Sequence, residues 1–228
     1  MGGAGLIKLV ADPYPPYQYW EGNEVKGVDH DLIVIALRGL GYGVEVELLP
    51  WEECLRRVEE GDAHGIFQIT KTPERERKFV FPGEPLRVAN TVLVVNPGAT
   101  VRITPGTELG AQLRPYKVGV LSGYSYGPLL DDLPSPIKVP VGSQEELFLR
   151  LLKGELYLAA MDLGVARYLA RKHGLSGLKT VEGLQVDREL FVAFKADVDP
   201  GFVESFNAQL HALKEQGEFE KIKARYGI

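Results

Sequence analysis

A single cysteine, Cys54, among 228 residues excludes an internal disulfide and a zinc site built on thiolates. Its place in the amphipathic stretch 51–58 reads as a packed thiol. Four histidines are scattered without metal-ligand spacing, so neither a metal nor a cofactor is expected. No apolar run approaches the length that spans a bilayer, and no segment is of low complexity. A basic excess is also missing. The 26 Lys and Arg face 31 Asp and Glu, a net charge of −5, which argues against nucleic acid as a partner. The start carries no basic stretch followed by an apolar one, so the chain is read as cytoplasmic or as trimmed of a signal peptide. Its glycine-rich opening, Met1-Gly2-Gly3-Ala4-Gly5, reads as a trimmed linker.

What is present is ordinary for a globular protein: 45% apolar and 25% charged residues, in a length comfortable for two small cores. The run 6–11 reads as a buried strand ended by Asp12-Pro13. A proline-stiffened aromatic loop, 14–20, follows. Asp29 or Asp31 is expected to cap a helix carrying Leu32, Ile35, Ala36 and Leu40. A strand at 44–49, a helix at 51–60 and a strand at 65–69 complete a βαβαβ series, the pattern of a parallel sheet faced by helices. After the β-branched run 88–95 the cycle repeats. It has strands at 117–121, 156–161 and 190–195, and helices from Ser143 to Lys153 (with a Ser143/Glu146 capping box) and from Gly164 to His173. A long amphipathic helix carries Val203, Phe206, Leu210 and Leu213, and the pattern continues through Phe219, Ile222 and Tyr226. Two α/β units are therefore expected.

Ligands of open parallel sheets bind beyond the carboxyl ends of the strands. The loops there hold Asp12, Tyr14 and Tyr17; Gln68, Thr70, Thr72 and Arg75; Ser122, Gly123, Tyr124 and Ser125; and Asp162. Together they suit a zwitterion. Arg75, Thr70 and Ser125 offer a guanidinium fork and hydroxyls for a carboxylate, and Asp162 offers an acceptor for an ammonium. Tyr14 and Trp51 offer rings for a side chain. Each residue also has a plainer reading. Arg75 sits in a charged helix start, Asp162 is placed to be an N-cap, and Tyr14 and Tyr17 suit packing.

The chain resembles the family 3 extracellular solute-binding proteins, which serve polar amino-acid ABC importers. The likeness rests on Asp12-Pro13-Tyr14-Pro15-Pro16-Tyr17 and on Gly27-Val28-Asp29-His30-Asp31-Leu32. It rests equally on Thr70-Lys71-Thr72-Pro73-Glu74-Arg75, similar to the family's Thr-x-Thr-x-x-Arg, and on Val118-Gly119-Val120 with Gly123-Tyr124-Ser125. The closing helices, from Asn207 to Tyr226-Gly227, are alike too. The resemblance implies a two-lobed type II periplasmic-binding-protein fold, each lobe a mixed sheet flanked by helices, joined by a two-strand hinge. The first lobe would comprise 1–88 and 188–228, the second 89–187. It implies a monomeric receptor that closes on an amino acid and hands it to a membrane permease of an ABC importer. Its location would be periplasmic or extracellular, with a lipid anchor on the precursor left open. By position, Arg75 would grip the ligand carboxylate, Thr70 and Ser125 would bond its polar ends, and Asp162 would take the ammonium. Tyr14 and Trp51 would flank the side chain, and Asp12 would line the pocket.

Some positions depart from the family. His64 and Tyr157 stand where Asp is usual, at the start of two strands. Gln68 and Tyr124 stand where smaller groups are usual, and they are expected to reshape the pocket. Two rivals share the fold. A cyclohexadienyl-dehydratase-like enzyme would need a general acid, for which Glu52 and His64 are candidates. A ligand-sensing domain of a receptor kinase is the other.

Overall fold

The computed structural model describes residues 5–104, 108–135 and 137–228, so most of the opening glycine-rich stretch lies outside it. The chain divides into two compact units, one of residues 1–88 and 189–228, the other of 89–188.

The first unit begins β1 (Leu6–Ala11), β2 (Tyr19–Glu21), β3 (Glu24–Lys26), α1 (Val28–Gly39), β4 (Gly43–Leu48), α2 (Trp51–Glu59), β5 (Gly65–Thr70), α3 (Pro73–Glu76) and β6 (Phe79–Val80). β7 (Arg87–Val95) carries the chain into the second unit. There follow α4 (Leu109–Leu113), β8 (Val118–Leu121), α5 (Pro128–Asp131), β9 (Lys138–Val141), α6 (Gln144–Leu152), β10 (Leu158–Asp162) and α7 (Leu163–Lys172). β11 (Lys179–Lys195) leads back to α8 (Pro200–Glu215) and α9 (Glu218–Arg225).

In the first unit β1 lies between β4 and β5, parallel to both. The returning end of β11 runs antiparallel to β5 and carries β6 on its other side. β5 is buried at all six positions, as a strand covered on both faces should be. In the second unit β10 pairs antiparallel with β7 and parallel with β8, and β8 pairs with β9. Pro140 sits in β9 because β9 ends the strand order, where a missing N–H costs no ladder bond.

Several local expectations change. α1 starts at Gly27, with no side-chain cap. A Cβ there would meet the Tyr17 carbonyl oxygen at 2.2 Å, so the tight approach requires glycine. Asp29 instead turns inward to Arg87, and Asp31 bonds His30 and Tyr226. Ser143 does cap α6 through the Glu146 N–H, but the Glu146 carboxylate reaches back to the Gly142 N–H, not to that of Ser143. Part of the aromatic loop is a hairpin, β2 with β3, turned at Gly22-Asn23. β11 is 17 residues long, far longer than 190–195. Arg188, expected in the first lobe, belongs with the second unit, where its Nε donates to Thr91 Oγ1 at 3.0 Å and its Nη1 donates to the Ser125 carbonyl.

The C-terminal helices are tied to the first unit's opening elements. The Tyr226 hydroxyl donates to Asp31 Oδ2 at 2.9 Å and accepts the Gly27 N–H at 3.0 Å. Burial, together with the Asp31 carboxylate, pushes the Tyr226 phenol up to about 12 against an ordinary 10, although the Gly27 N–H works the other way. The folded state therefore keeps a proton that the unfolded chain releases near pH 10. This contribution is complete below that pH and is lost as pH rises through about 12. Tyr226→Phe is expected to cost about 1 kcal/mol at neutral pH. Urea titrations repeated up to high pH should show the gap between wild type and variant close as the phenol ionises.

Candidate functional site

In the first unit, Asp12 follows β1, Trp51 opens α2 beyond β4, and Gln68 and Thr70 lie in the last half of β5. All stand at the carboxyl ends of the parallel strands. The α3 turn brings Arg75 back over this edge. The Thr72 hydroxyl caps α3 by accepting the Arg75 N–H at 3.3 Å. Arg75 Nη1 then donates to the Thr70 carbonyl at 3.1 Å and to Thr70 Oγ1. Its guanidinium carbon lies 5.2 Å from the centre of the Trp51 ring. Since Thr70 Oγ1 accepts from Arg75, its own proton is left to donate. Arg75, Thr70 and Trp51 thus form one cluster of donors with an aromatic wall, and Arg75 stays half-buried.

Tyr14 is placed differently. It is 1% exposed, its ring centre 6.1 Å from that of Tyr17. Both rings pack on the guanidinium of Arg87, which lies 3.4 Å from the Tyr17 centre and 5.9 Å from that of Tyr14. Arg87 Nε in turn donates to Asp29 Oδ2 at 2.9 Å, an ion pair with side chains 2% and 0% exposed. Tyr14 therefore packs on a buried structural pair. Asp12 is buried, and its charge adds to burial in pushing the Cys54 thiol up, which places the carboxylate beside α2.

Gln68 is the first unit's conformational outlier. Among the described residues it is the one non-glycine with positive φ, at 62°. The register of β5 against β11 slips there: Ile69 faces Phe191 and Phe67 faces Val192, so Gln68 is the extra residue of a bulge. Its Oε1 accepts from Gln18 Nε2, which also donates to the Asp12 carbonyl at 3.1 Å. Gln18, fully buried, was not predicted. Its only sequence signal is an amide inside an otherwise apolar-aromatic loop.

In the second unit the loop after β8 is organised by Asp131. This carboxylate accepts the Tyr126 N–H at 2.9 Å, the Gly127 N–H at 3.1 Å and the Ser125 hydroxyl at 2.8 Å. With its proton so used, Ser125 Oγ offers lone pairs, not a donor. Tyr124 packs on Tyr126 with ring centres 6.3 Å apart, and both border a cavity of about 320 Å³ with Ser122, Gly123, Asp131 and Lys138. Arg188 braces the loop from beneath, 5.1 Å from the Tyr126 ring centre. Asp162 ends β10, 1% exposed. Its Oδ1 caps α7 by accepting the Gly164 and Val165 N–H groups at 2.8 and 3.2 Å. The plain capping role and the site role thus fall on one residue.

A larger cavity, about 670 Å³ in the second unit along α7 and the first half of β11, is lined by none of the candidate site residues. The convergent polar groups at the strand ends carry more chemical weight than its volume. Of the acid candidates, Glu52 is exposed on α2. His64 precedes β5, at the opposite end of the sheet, and its Nδ1 accepts the Lys8 N–H at 3.0 Å.

A profile of the bacterial extracellular solute-binding proteins, family 3, matches residues 6–228. Among curated proteins, the chain is 21% identical over 234 residues to the "Arginine-binding extracellular protein ArtP" of Bacillus subtilis, covering 99% of this chain and 87% of that protein. It is 25% identical over 213 residues to a "Probable histidine-binding protein" of Neisseria gonorrhoeae, covering 90% and 76%. Among solved structures, an ancestral arginine-binding protein bound to arginine superposes with a TM-score of 0.84 at 20% identity, covering 99% of each chain. The fold is thus that of the amino-acid-binding receptors. Among the described residues no helix is long and apolar enough to cross a membrane.

Proposed function

We propose that this chain, which belongs to the bacterial extracellular solute-binding proteins, family 3, is the receptor of an ABC importer for a zwitterionic polar or basic amino acid. It works outside the cytoplasm, hands its ligand to a membrane permease, acts as a monomer and catalyses no reaction. The observation that carries this reading is the preassembled Arg75–Thr70–Trp51 cluster at the carboxyl end of β5. It presents a fixed guanidinium and a free hydroxyl proton, which suit a carboxylate. Within the second unit, Ser125 Oγ and Asp162 are acceptors of the kind that an ammonium takes. Ser125 therefore moves, in this proposal, from the carboxylate to the ammonium end. The relatives named for arginine and histidine fit the same ligand class.

A thermal-denaturation panel of the amino acids tests the reading. A cognate ligand at a hundred times its Kd should stabilise the fold by about 2.7 kcal/mol. Agmatine, which keeps the guanidinium but lacks the carboxylate, should have no such effect. A panel in which no amino acid raises the midpoint, or in which agmatine matches an arginine that does raise it, overturns the proposal.

A further inference from the structure

The two buried glutamines form a hydrogen-bond chain whose polarity is fixed by its first member. The Asp12 backbone carbonyl can only accept, so Gln18 must turn its NH₂ toward it. The same nitrogen donates to Gln68, so Gln68 must present its oxygen to Gln18. The Gln68 NH₂ is thereby aimed away from the pair, and it makes no hydrogen bond among the described residues. Gln68 stands on the strand that supplies Thr70, two residues before it, at the edge that carries the donor cluster.

This arrangement is costly to keep. Gln68 holds a backbone conformation that glycine would adopt without strain. Gln18 Oε1 is sealed from solvent with no hydrogen-bond partner. A glycine at 68 and an apolar residue at 18 would serve the core better, so the pair has a use other than packing.

We infer that Gln68 reads the ligand side chain as a hydrogen-bond donor, with Gln18 as the positioning residue that fixes its amide. The site accordingly selects a neutral side chain ending in a carbonyl flanked by N–H, a carboxamide or a ureido group. The cationic guanidinium and ammonium offer only donors, so they meet Gln68 donor to donor. The inference rests on the amino-acid-receptor reading above, and it narrows the ligand to one chemistry within it.

L-citrulline and L-arginine make the probe pair, because they share length and differ in carbonyl against guanidinium. Calorimetric titration of the wild-type chain should show L-citrulline or L-glutamine bound at least about tenfold more tightly than L-arginine. Gln68→Glu keeps the shape and the bond from Gln18 but turns the outward atom into an acceptor, so the preference should reverse toward L-arginine. Gln18→Leu frees the Gln68 amide to rotate, so the ratio of the two affinities should fall toward one. Far-ultraviolet circular dichroism confirms that each variant is folded. A merely structural role for the pair would weaken all ligands together and leave the ratio where it was. Wild type preferring L-arginine, or a Gln68→Glu ratio within about twofold of wild type, overturns the inference and leaves the receptor reading standing. If no amino acid binds wild type at all, the receptor reading falls and takes the inference with it.

Discussion

Arg75→Ala should weaken amino-acid binding by about 2–5 kcal/mol, roughly 30-fold to several thousand-fold in Kd. The guanidinium is held before any ligand arrives, by the Thr70 carbonyl and hydroxyl on one side and the Trp51 ring on the other. Little ordering therefore remains to be done when a carboxylate docks, and the fork geometry is set in advance. Removal leaves the carboxylate desolvated beside Trp51 without its cation. Arg75→Lys keeps the charge but loses the planar fork, so it should fall between the two. Because Arg75 is half-exposed on a four-residue helix, folding stability should move by no more than about 1 kcal/mol. Isothermal titration of the three proteins with the ligand found in the thermal panel gives the comparison. Equal affinity in Arg75→Ala would place the carboxylate elsewhere.

The second large effect is on stability. Arg87→Met should destabilise the first unit by about 3–5 kcal/mol, because Asp29 is left as a buried charge without its cation. Its side chain is 0% exposed, and that of Arg87 is 2% exposed. The loss also strips the aromatic pair of its filling, since the guanidinium lies 3.4 Å from the Tyr17 ring centre. The double replacement Asp29→Ala with Arg87→Met removes both charges. It should recover most of the loss, since an ion pair away from water gives little net stability over apolar groups of similar size. Urea midpoints of the single and double variants decide it. A double variant no more stable than Arg87→Met would mean that Arg87 acts through its stacking and not its charge.

The fold was legible where the signal was local. β1 and β5 follow from short apolar runs, β4 from alternation and α1 and α2 from a spacing of 3.6, and Gly61 and Gly174 mark two helix ends. Arg75 and Thr70 were legible together because the strand-end rule places them in one loop, whereas Trp51 was legible only as a ring beside the site. The rest depended on partners far along the chain. Asp29 looked like a cap because nothing near it announces Arg87, 58 residues later. Nor does anything near Tyr14 announce that its ring packs on the same guanidinium. The hairpin of β2 and β3 is three residues a side, too short for alternation to stand out. The first half of β11 is broken by Gly183 and carries several charges, and β9 carries a proline. Gln18 stands out only as an amide in an aromatic loop, since its role is set by the polarity of a carbonyl and an amide that the fold brings to it.

β7 leaves the first unit and β11 returns to it, so this unit is made from both ends of the chain. The Tyr226 hydroxyl meets Asp31 across 195 positions, and Lys214 Nζ meets Glu84 across 130. Synthesis runs from one end to the other, so every residue of the inserted unit is made while its host still lacks the second half of β11, the stretch that closes the sheet beside β5. Until residues 189–228 emerge, the edge of β5 and the apolar face of α1 have no cover. The interval between the two halves of the host is therefore when a nascent chain is most exposed to wrong pairing. An insert that has already folded joins the two halves of its host at a smaller loop-closure cost than a hundred free residues would.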